Sequence, residues 1–283
     1  MSNMLQSTTT EITPGVRIPL IGLGTWPMVG EEAADAVARA IGHGYRHIDT
    51  AENYANEDAV GEGIRRSGIP REDVFVTSKF NKEWHSKDGV RTALSNATRR
   101  LGTDYLDLFL VHWPNPDWPA PGQGRFVEAC EALQELMDDG AIRAWGVSNF
   151  TPRHLRQVQA AGLTVPISQI QLDPATGQRE QLAFHRKHGI ATAAYSPLGR
   201  GGDFLAHPAI TAPAEQLGVA AGQVVLRWHV QHGRVATPKS ASDQRQAQNL
   251  DVFGFSLSPG QMAAIDALDT NARPRLDPDH FGH

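Results

Sequence analysis

The sequence lacks the features that would tie the protein to a disulfide framework, a membrane or a nucleic acid. Its one cysteine, Cys130, can form no internal disulfide and belongs to no CxxC spacing for zinc or redox chemistry. No window approaches the roughly 18 consecutive apolar residues that span a bilayer, and residues Met1 to Thr13 lack the charged start and apolar run of a signal peptide. The formal net charge of −5 offers no basic surface to nucleic acid or anionic lipid. We therefore expect a soluble, cytoplasmic protein that binds neither nucleic acid nor membrane.

The chain instead alternates short β-prone runs with stretches of helical periodicity. The predicted strands are Leu20–Leu23, Arg46–Ile48, Val74–Ser78, Leu106–Val111, Ile142–Val147, Ile167–Gln171, Ile190–Tyr195 and Val235–Thr237. The predicted helices are Glu31–Ile41, Asp58–Ser67, Gly89–Leu101, Phe126–Met137, Pro152–Ala160, Glu180–Lys187, Ala220–His232 and Ser242–Leu250. Eight βα units in a chain of 283 residues predict a closed parallel (β/α)₈ TIM barrel.

The alternative architecture is an open doubly wound sheet. That fold would need a G-x-G-x-x-G run that opens a helix after the first strand. Here Gly22-Leu-Gly24 is followed by Thr25-Trp26-Pro27, which breaks the pattern. Because no linker or internal repeat divides the chain, residues 1–283 are predicted to form a single domain. Its expected extensions are a leader, Met1–Arg17, and a tail, Ser258–His283, with a capped helix at Gln261–Leu268.

Several segments carry their own signals. Thr151-Pro152 predicts a capped helix start, and Gly68 and Gly140 stand where left-handed helix ends fall. The connections Asn115–Gln123 and Ser196–Leu217 are longer than usual. In a barrel both would overhang the carboxyl ends of the strands, where active sites lie.

Polar side chains stand where three predicted strands end. Asp49, Lys79 and His112 each follow a strand, and Tyr54 lies on the loop after Asp49. Singly, each residue has an ordinary structural explanation as a helix cap, a solvated lysine or a rim histidine. Together they fit carbonyl reduction, which needs a hydride donor and an acid for the developing alkoxide.

The four side chains divide that task among them. A tyrosine, with an unperturbed pKa of about 10, is a weak acid that a lysine ammonium would strengthen by lowering that pKa. An aspartate would fix the lysine, and a neutral histidine would orient the carbonyl oxygen.

At these residues the sequence resembles the aldo-keto reductase family. The segment Gly44-Tyr-Arg-His-Ile-Asp49-Thr-Ala-Glu-Asn-Tyr54 is similar to its signature. Lys79, Leu110-Val-His112-Trp-Pro114, Gly146-Val-Ser-Asn-Phe150 and Pro238-Lys239-Ser240 follow in the family's order. The runs Leu226-Arg-Trp-His229 and Asn249-Leu-Asp-Val-Phe253 are similar to the bacterial 2,5-diketo-D-gluconate reductase branch.

The resemblance implies a role for each matching residue. Asp49, Tyr54, Lys79 and His112, here called the candidate tetrad, would be catalytic, with Tyr54 as the acid. Trp26 and Trp113 would line the substrate pocket together with His112. NADPH would be held at its nicotinamide by Ser148, Asn149, Gln169 and Tyr195, at its pyrophosphate by Ser196, Pro197, Leu198 and Gly199, and at its adenosine by Lys239, Ser240, Arg245 and Asn249.

The adenosine group also has a physical explanation of its own. A 2′-phosphate requires cations and hydroxyl donors, and an arginine offers a bidentate fork. Lys239 is one of only five lysines in the sequence, so its position at a strand end favours a functional role over a chance surface position. The alternative is a solvated basic loop.

Three positions depart from the family's pattern. Asp173 stands where a histidine is usual, Gln248 replaces a glutamate, and Phe80–Trp84 lacks the familiar Leu-Trp after the lysine. These departures weaken any transfer of substrate preference. The substrate is expected to be a small aldehyde, dicarbonyl or keto-sugar, and a monomer is what the family implies.

Two other functions and a metal site are the alternatives to the reductase. A barrel that binds NADPH as a redox sensor, like the potassium-channel β subunits, would retain the tetrad. A lyase or isomerase without nicotinamide is disfavoured by Lys239 and Arg245. The spacings of His185 with His188 and of His229 with His232 lack a third ligand, so no metal is expected.

Overall fold

Short apolar runs of the sequence form the strands of a closed barrel. The computed structural model describes residues 8–270, 274 and 276–282. The strands are β1 (Thr9–Thr13), β2 (Val16–Pro19), β3 (Leu23–Gly24), β4 (His47–Asp49), β5 (Phe75–Phe80), β6 (Leu106–Val111), β7 (Ile142–Ser148), β8 (Ile167–Gln171), β9 (Ala191–Tyr195) and β10 (Val235–Thr237). Strands β3 to β10 form one parallel sheet in chain order. Strands β5 and β6 are buried at every position because a parallel sheet is covered on both faces.

The first and last barrel strands meet and close the sheet. Ile21 forms a bridge to Ala236, and the amide of Gly22 donates to the Ala236 carbonyl at 3.0 Å. Gly24 bridges Lys239, and a Cβ on Gly24 would lie 2.7 Å from the Thr237 carbonyl oxygen. Only glycine allows backbones to approach this closely. The eight-stranded TIM barrel predicted from the sequence is confirmed.

Helices cover the outside of the barrel. They are α1 (Gly30–Gly42), α2 (Glu57–Arg66), α3 (Lys87–Leu101), α4 (Phe126–Asp138), α5 (Pro152–Ala160), α6 (Arg179–His188), α7 (Pro208–Leu217), α8 (Ala221–Gln231), α9 (Asp243–Leu250) and α10 (Pro259–Asp266). Thr151 caps α5 ahead of Pro152, and Gly68 and Gly140 have left-handed φ values of 70° and 74°, as predicted. In the described ranges, no helix is both long and apolar enough to cross a membrane.

The leader contains two strands that were not predicted from the sequence. Residues 1–7 lie outside the described part, but β1 and β2 form an antiparallel hairpin around Gly15, whose φ is 79°. Ile12 and Ile18 of this hairpin are buried in the main core. Because β2 ends just before Ile21, the hairpin lies at the amino-terminal end of the strands, away from the predicted site.

The long connection after β9 also contains structure that was expected to be loop. Helix α7 begins at Pro208 and packs against α8 through Ile210. Pro213 lies inside α7, which obscured its helical pattern in the sequence. The expected tail helix is α10, and it begins two residues earlier than predicted, at Pro259.

Small shifts in strand bounds matter for the site. The first predicted strand, Leu20–Leu23, began too early and ended one residue too soon, because β3 consists of Leu23 and Gly24. Asp49 is the last residue of β4, and Lys79 lies within β5 rather than beyond its end. The backbone ladder therefore fixes the main chain of both residues, and their side chains are held by rigid strands.

Candidate active site

Lys79 lies at the centre of the candidate tetrad. Its side chain is fully buried, and Nζ lies 2.7 Å from Oδ1 of Asp49. Nζ also donates to the Thr50 carbonyl at 2.9 Å and lies 3.5 Å from the Tyr54 hydroxyl. Burial alone would lower the pKa of Lys79, but the charges and hydrogen bonds of Asp49 and Tyr54 together outweigh it and the pKa is raised. Lys79 is therefore a buried ammonium aimed at the phenol.

Tyr54 ends a single turn of 3₁₀ helix, Glu52–Tyr54, after β4. The turn closes at Ala55, which has a left-handed φ of 52°. Burial raises the pKa of the Tyr54 phenol, and although Lys79 lowers it in turn, the net direction is upward. The expected influence of the lysine is present, but burial exceeds it. At neutral pH the phenol keeps its proton and has one to give.

His112 and Trp113 form the wall beside Tyr54. His112 follows β6, and its amide donates to the Phe80 carbonyl at 3.1 Å. Its ring lies edge-on to that of Tyr54, with centroids 5.9 Å apart. Trp113 is buried beside it. The structure thus brings all four members of the candidate tetrad to one place at the carboxyl ends of β4, β5 and β6.

The predicted nicotinamide residues lie at the ends of the next three strands. Asn149 follows β7 with a left-handed φ of 64°. Its amide donates to the His112 carbonyl at 3.0 Å and to the Ser148 hydroxyl at 3.1 Å, and its oxygen accepts from the Tyr195 hydroxyl at 2.8 Å. Gln169 on β8 donates to Oδ2 of Asp49 at 2.6 Å. This predicted group is therefore joined to the candidate tetrad by hydrogen bonds.

The predicted adenosine residues lie at the neighbouring rim after β10. Lys239 and Arg245 are exposed, and Ser240 and Asn249 are buried. Gly24 pairs with Lys239 on one side and with Asp49 on the other, so two strand spacings separate Lys239 from Asp49. The hydroxyl of Ser240 accepts from the Ser242 amide at 3.1 Å and so shapes the turn before α9.

The predicted pyrophosphate loop follows β9. Ser196 has a left-handed φ of 50°, and its carbonyl accepts from the Gly199 amide at 2.9 Å. Pro197 and Leu198 form the middle of this tight turn. The loop lies between the two predicted ends of the cofactor site, because β9 is flanked by β8 and β10.

Comparison with known proteins identifies the chain. Residues 20–270 match the model of the Aldo/keto reductase family. The chain belongs to this family. Morphine 6-dehydrogenase of Pseudomonas putida is 44% identical over 278 residues, which cover 93% of this chain and 92% of that protein. Membership confirms the prediction of an NADP-dependent oxidoreductase that reduces carbonyl compounds.

Two further comparisons agree. Methylglyoxal reductase DkgA of Escherichia coli (strain K12) is 37% identical over 281 residues, which cover 99% of this chain and 100% of that protein. A crystal structure of a Bombyx mori aldo-keto reductase in complex with NADP superposes with a TM-score of 0.87 at 34% identity, over 95% of this chain and 94% of that one.

Two of the three departures from the family pattern have structural roles in this reductase. Asp173 is buried after β8, and its Oδ1 accepts from the amides of Ala175 and Thr176 at 2.9 and 3.0 Å. It therefore organises a turn. Gln248 lies half-buried on α9. Trp84, which stands later than the family's tryptophan, donates its indole N–H to Glu52 at 3.0 Å.

Two residues at the mouth of the site were missed from the sequence. Phe281 packs edge-on against Trp113, with centroids 5.0 Å apart, and nearby Asp279 pairs with Arg153 at 2.7 Å. The Arg200 guanidinium lies 4.5 Å from the centre of the Trp26 ring, which is 46% exposed. Arg200 lies in the long connection Ser196–Leu217, so the sequence indicated its loop but not its contact with Trp26.

Three of the four histidines in the two pairs contact side chains or rings that leave no need for a metal, and the fourth, His229, lies edge-on to the Trp228 ring. His185 contacts Gln181 at 2.7 Å and Thr192 at 2.9 Å, and His232 pairs with Asp266 at 3.0 Å. Over residues 8–270, 274 and 276–282, no cluster of three or more metal-ligating side chains forms. His188 lies against the Phe184 ring.

Proposed function

We propose that this reductase uses NADPH to reduce a small aldehyde, dicarbonyl or keto-sugar, with Tyr54 as the general acid. The observation that carries the proposal is the buried chain from Asp49 through Lys79 to the Tyr54 hydroxyl, with N···O distances of 2.7 and 3.5 Å. A protonated phenol beside a fixed ammonium suits delivery of a proton to an alkoxide. His112, edge-on to the phenol, would orient the carbonyl oxygen.

The residues present fit NADPH at both ends. Lys239 and Arg245 remain exposed, and Asp243, the acidic residue on α9, pairs with His43 at 2.8 Å rather than with Arg245. Two such cations beside the hydroxyl of Ser240 suit a 2′-phosphate. Bound NADPH would supply the hydride. The residues proposed to hold it are Ser148, Asn149, Gln169, Tyr195, Ser196, Pro197, Leu198, Gly199, Lys239, Ser240, Arg245 and Asn249.

The substrate class rests on the pocket wall and on the relatives. Trp26, Trp113 and Phe281 give the site an aromatic mouth, which suits apolar or flat carbonyl compounds. The name of the Escherichia coli relative, methylglyoxal reductase, supports a dicarbonyl. Kinship with the 2,5-diketo-D-gluconate reductase branch would support a keto-sugar.

We propose one catalytic domain over residues 1–283 that acts as a monomer in the cytoplasm.

The competing function is a barrel that binds NADPH as a sensor with little turnover. NADPH oxidation followed at 340 nm against methylglyoxal, an aliphatic aldehyde, a keto-sugar acid and a bulky cyclic ketone separates the two. Multiple turnovers with any of them support the reductase, whereas tight NADPH binding without turnover on all four would favour the sensor.

A further inference from the structure

Two carboxylates flank Tyr54 along the chain, and both bind residues that flank Lys79. Glu52, two positions before Tyr54, accepts from the amide of Asn81, two positions after Lys79, at 3.2 Å. Glu57, three positions after Tyr54, accepts from the hydroxyl of Ser78, one position before Lys79, at 2.5 Å. The loop of the proposed acid is therefore fastened to the lysine strand on both sides.

Each carboxylate has a second donor, and one arginine lies between them. The Trp84 indole N–H donates to both oxygens of Glu52 at 3.0 Å. Arg100 of α3 donates from Nε to Glu57 at 2.6 Å, and its NH2 lies 3.9 Å from Glu52. Burial raises the pKa of Glu57, and the bonds from Ser78 and Arg100 oppose that effect.

The turn that carries Tyr54 needs this support. It is a single 3₁₀ turn of three residues, none of them fully buried as a residue. Its own backbone bonds are those from Tyr54 to Ala51 and from Ala55 to Glu52, both 3.1 Å long. An isolated turn of this kind is marginal in stability. The Tyr54 hydroxyl nevertheless has to stay 3.5 Å from Nζ of Lys79, which is already a long hydrogen bond.

We propose that Glu52 and Glu57 are positioning residues, which hold the Tyr54 hydroxyl against the Lys79 ammonium without touching the substrate. This inference rests on the proposed role of Tyr54 as the acid. Trp84, a departure from the family pattern, is the donor that keeps the Glu52 carboxylate oriented in this chain. Loosening either carboxylate moves the phenol away from the ammonium. The phenol then loses the larger of the two cationic influences that lower its pKa, that of Lys79, and keeps the smaller one of Arg200.

The sharpest variant is Trp84→Phe, which keeps an aromatic ring and removes the indole N–H donor. We expect kcat to fall roughly 5- to 20-fold, less than the ~10²-fold that a displacement of about 1 Å can cost. The alkaline limb of the pH–rate profile should move to higher pH, because the phenol is a weaker acid without Lys79 beside it. KM for NADPH should stay unchanged. Glu52→Gln should shift the same limb in the same direction.

Trp145→Phe is the matched control. Its indole N–H donates to Gln134 at 2.9 Å, in a comparable hydrogen bond between β7 and α4, remote from Tyr54. This variant should keep the wild-type kcat and pH profile. If Trp84→Phe only lowers the melting temperature, as Trp145→Phe would, and leaves the pH profile in place, the positioning role is overturned.

A readout without turnover separates this inference from the acid assignment. The ionisation of Tyr54 is measured as the difference in ultraviolet absorbance between wild type and Tyr54→Phe during an alkaline titration. Trp84→Phe, measured against Trp84→Phe/Tyr54→Phe, should titrate at higher pH than wild type. An unchanged Tyr54 pKa overturns the positioning role even if Tyr54→Phe is inactive. Full activity in Tyr54→Phe would instead refute the assignment of Tyr54 as the acid. A Tyr54 pKa that is higher in Trp84→Phe than in wild type would still support the proposal that Glu52 holds the turn in place.

Discussion

Gln169 and Asp49 meet across the barrel. The amide of Gln169 lies 2.6 Å from Oδ2 of Asp49, while Oδ1 of the same carboxylate lies 2.7 Å from Nζ of Lys79. Strands β8 and β4, which carry the two residues, are four apart in the sheet and therefore lie on opposite sides. The carboxylate is thus held at both oxygens. It connects the proposed nicotinamide site to the lysine.

This double contact predicts that two substitutions lower the single-turnover rate by unequal amounts. Lys79→Met should lower the single-turnover rate by about 10²-fold or more, because the phenol loses its ammonium. Asp49→Asn should be milder, because the new amide oxygen still accepts from Lys79, the Gln169 amide can flip to accept the new N–H, and the Thr50 carbonyl still accepts from Nζ. Single-turnover rates at saturating NADPH give the comparison. A larger loss for Asp49→Asn than for Lys79→Met would overturn this division of roles.

The exposed cations at the adenosine rim predict a cofactor preference. NADPH should bind more tightly than NADH, and Arg245→Ala should weaken NADPH roughly 10-fold, since a charge-assisted hydrogen bond is lost. The affinity for NADH should stay nearly unchanged, because NADH has no 2′-phosphate. Fluorescence titration with both cofactors measures the two affinities.

Arg99→Ala provides the control, because Arg99 is in the last turn of α3, away from this rim, and contacts Asn96 at 3.1 Å. Both affinities should match wild type in that variant. Equal losses for NADPH and NADH in Arg245→Ala would make Arg245 a general or structural contact instead.

The position of Phe281 predicts an effect on substrate binding rather than on chemistry. Its ring packs against Trp113, next to His112. Phe281→Ala should raise KM for aromatic or bulky carbonyl substrates several-fold and leave KM for the smallest aldehyde almost unchanged, since only the larger molecules reach the lost ring. Steady-state kinetics with a graded series of aldehydes tests this. A uniform drop in kcat with every substrate would speak against a pocket role for Phe281.

The sequence predicted the parts of the site that lie on the strands. Asp49, Lys79 and His112 follow apolar runs that could only be buried strands, and the barrel then brings their side chains together. Tyr54 followed from the motif around Asp49. Lys79 lies inside β5 rather than after it, where it was predicted, but the predicted cluster is the same, because this part of β5 pairs in register with β6.

The contacts between distant segments were not predictable in the same way. Phe281 meets Trp113 and Arg200 meets Trp26 only because the tail and the β9 loop fold back over the strand ends. No periodicity in the sequence records such pairings. The hydrogen bond from Trp84 to Glu52 was not predictable either. The sequence showed only that Phe80–Trp84 lacks the usual Leu-Trp after the lysine.

The most direct test of the account is the single-turnover rate of Tyr54→Phe at saturating NADPH. This substitution removes the phenolic hydroxyl, which lies 3.5 Å from Nζ of Lys79, and leaves the ring beside His112. The account predicts a loss of about 10²- to 10⁴-fold in rate, with NADPH affinity preserved, because the general acid is gone and the cofactor site is intact. A Tyr54→Phe enzyme within a few-fold of the wild-type rate would contradict the central claim that Tyr54 delivers the proton.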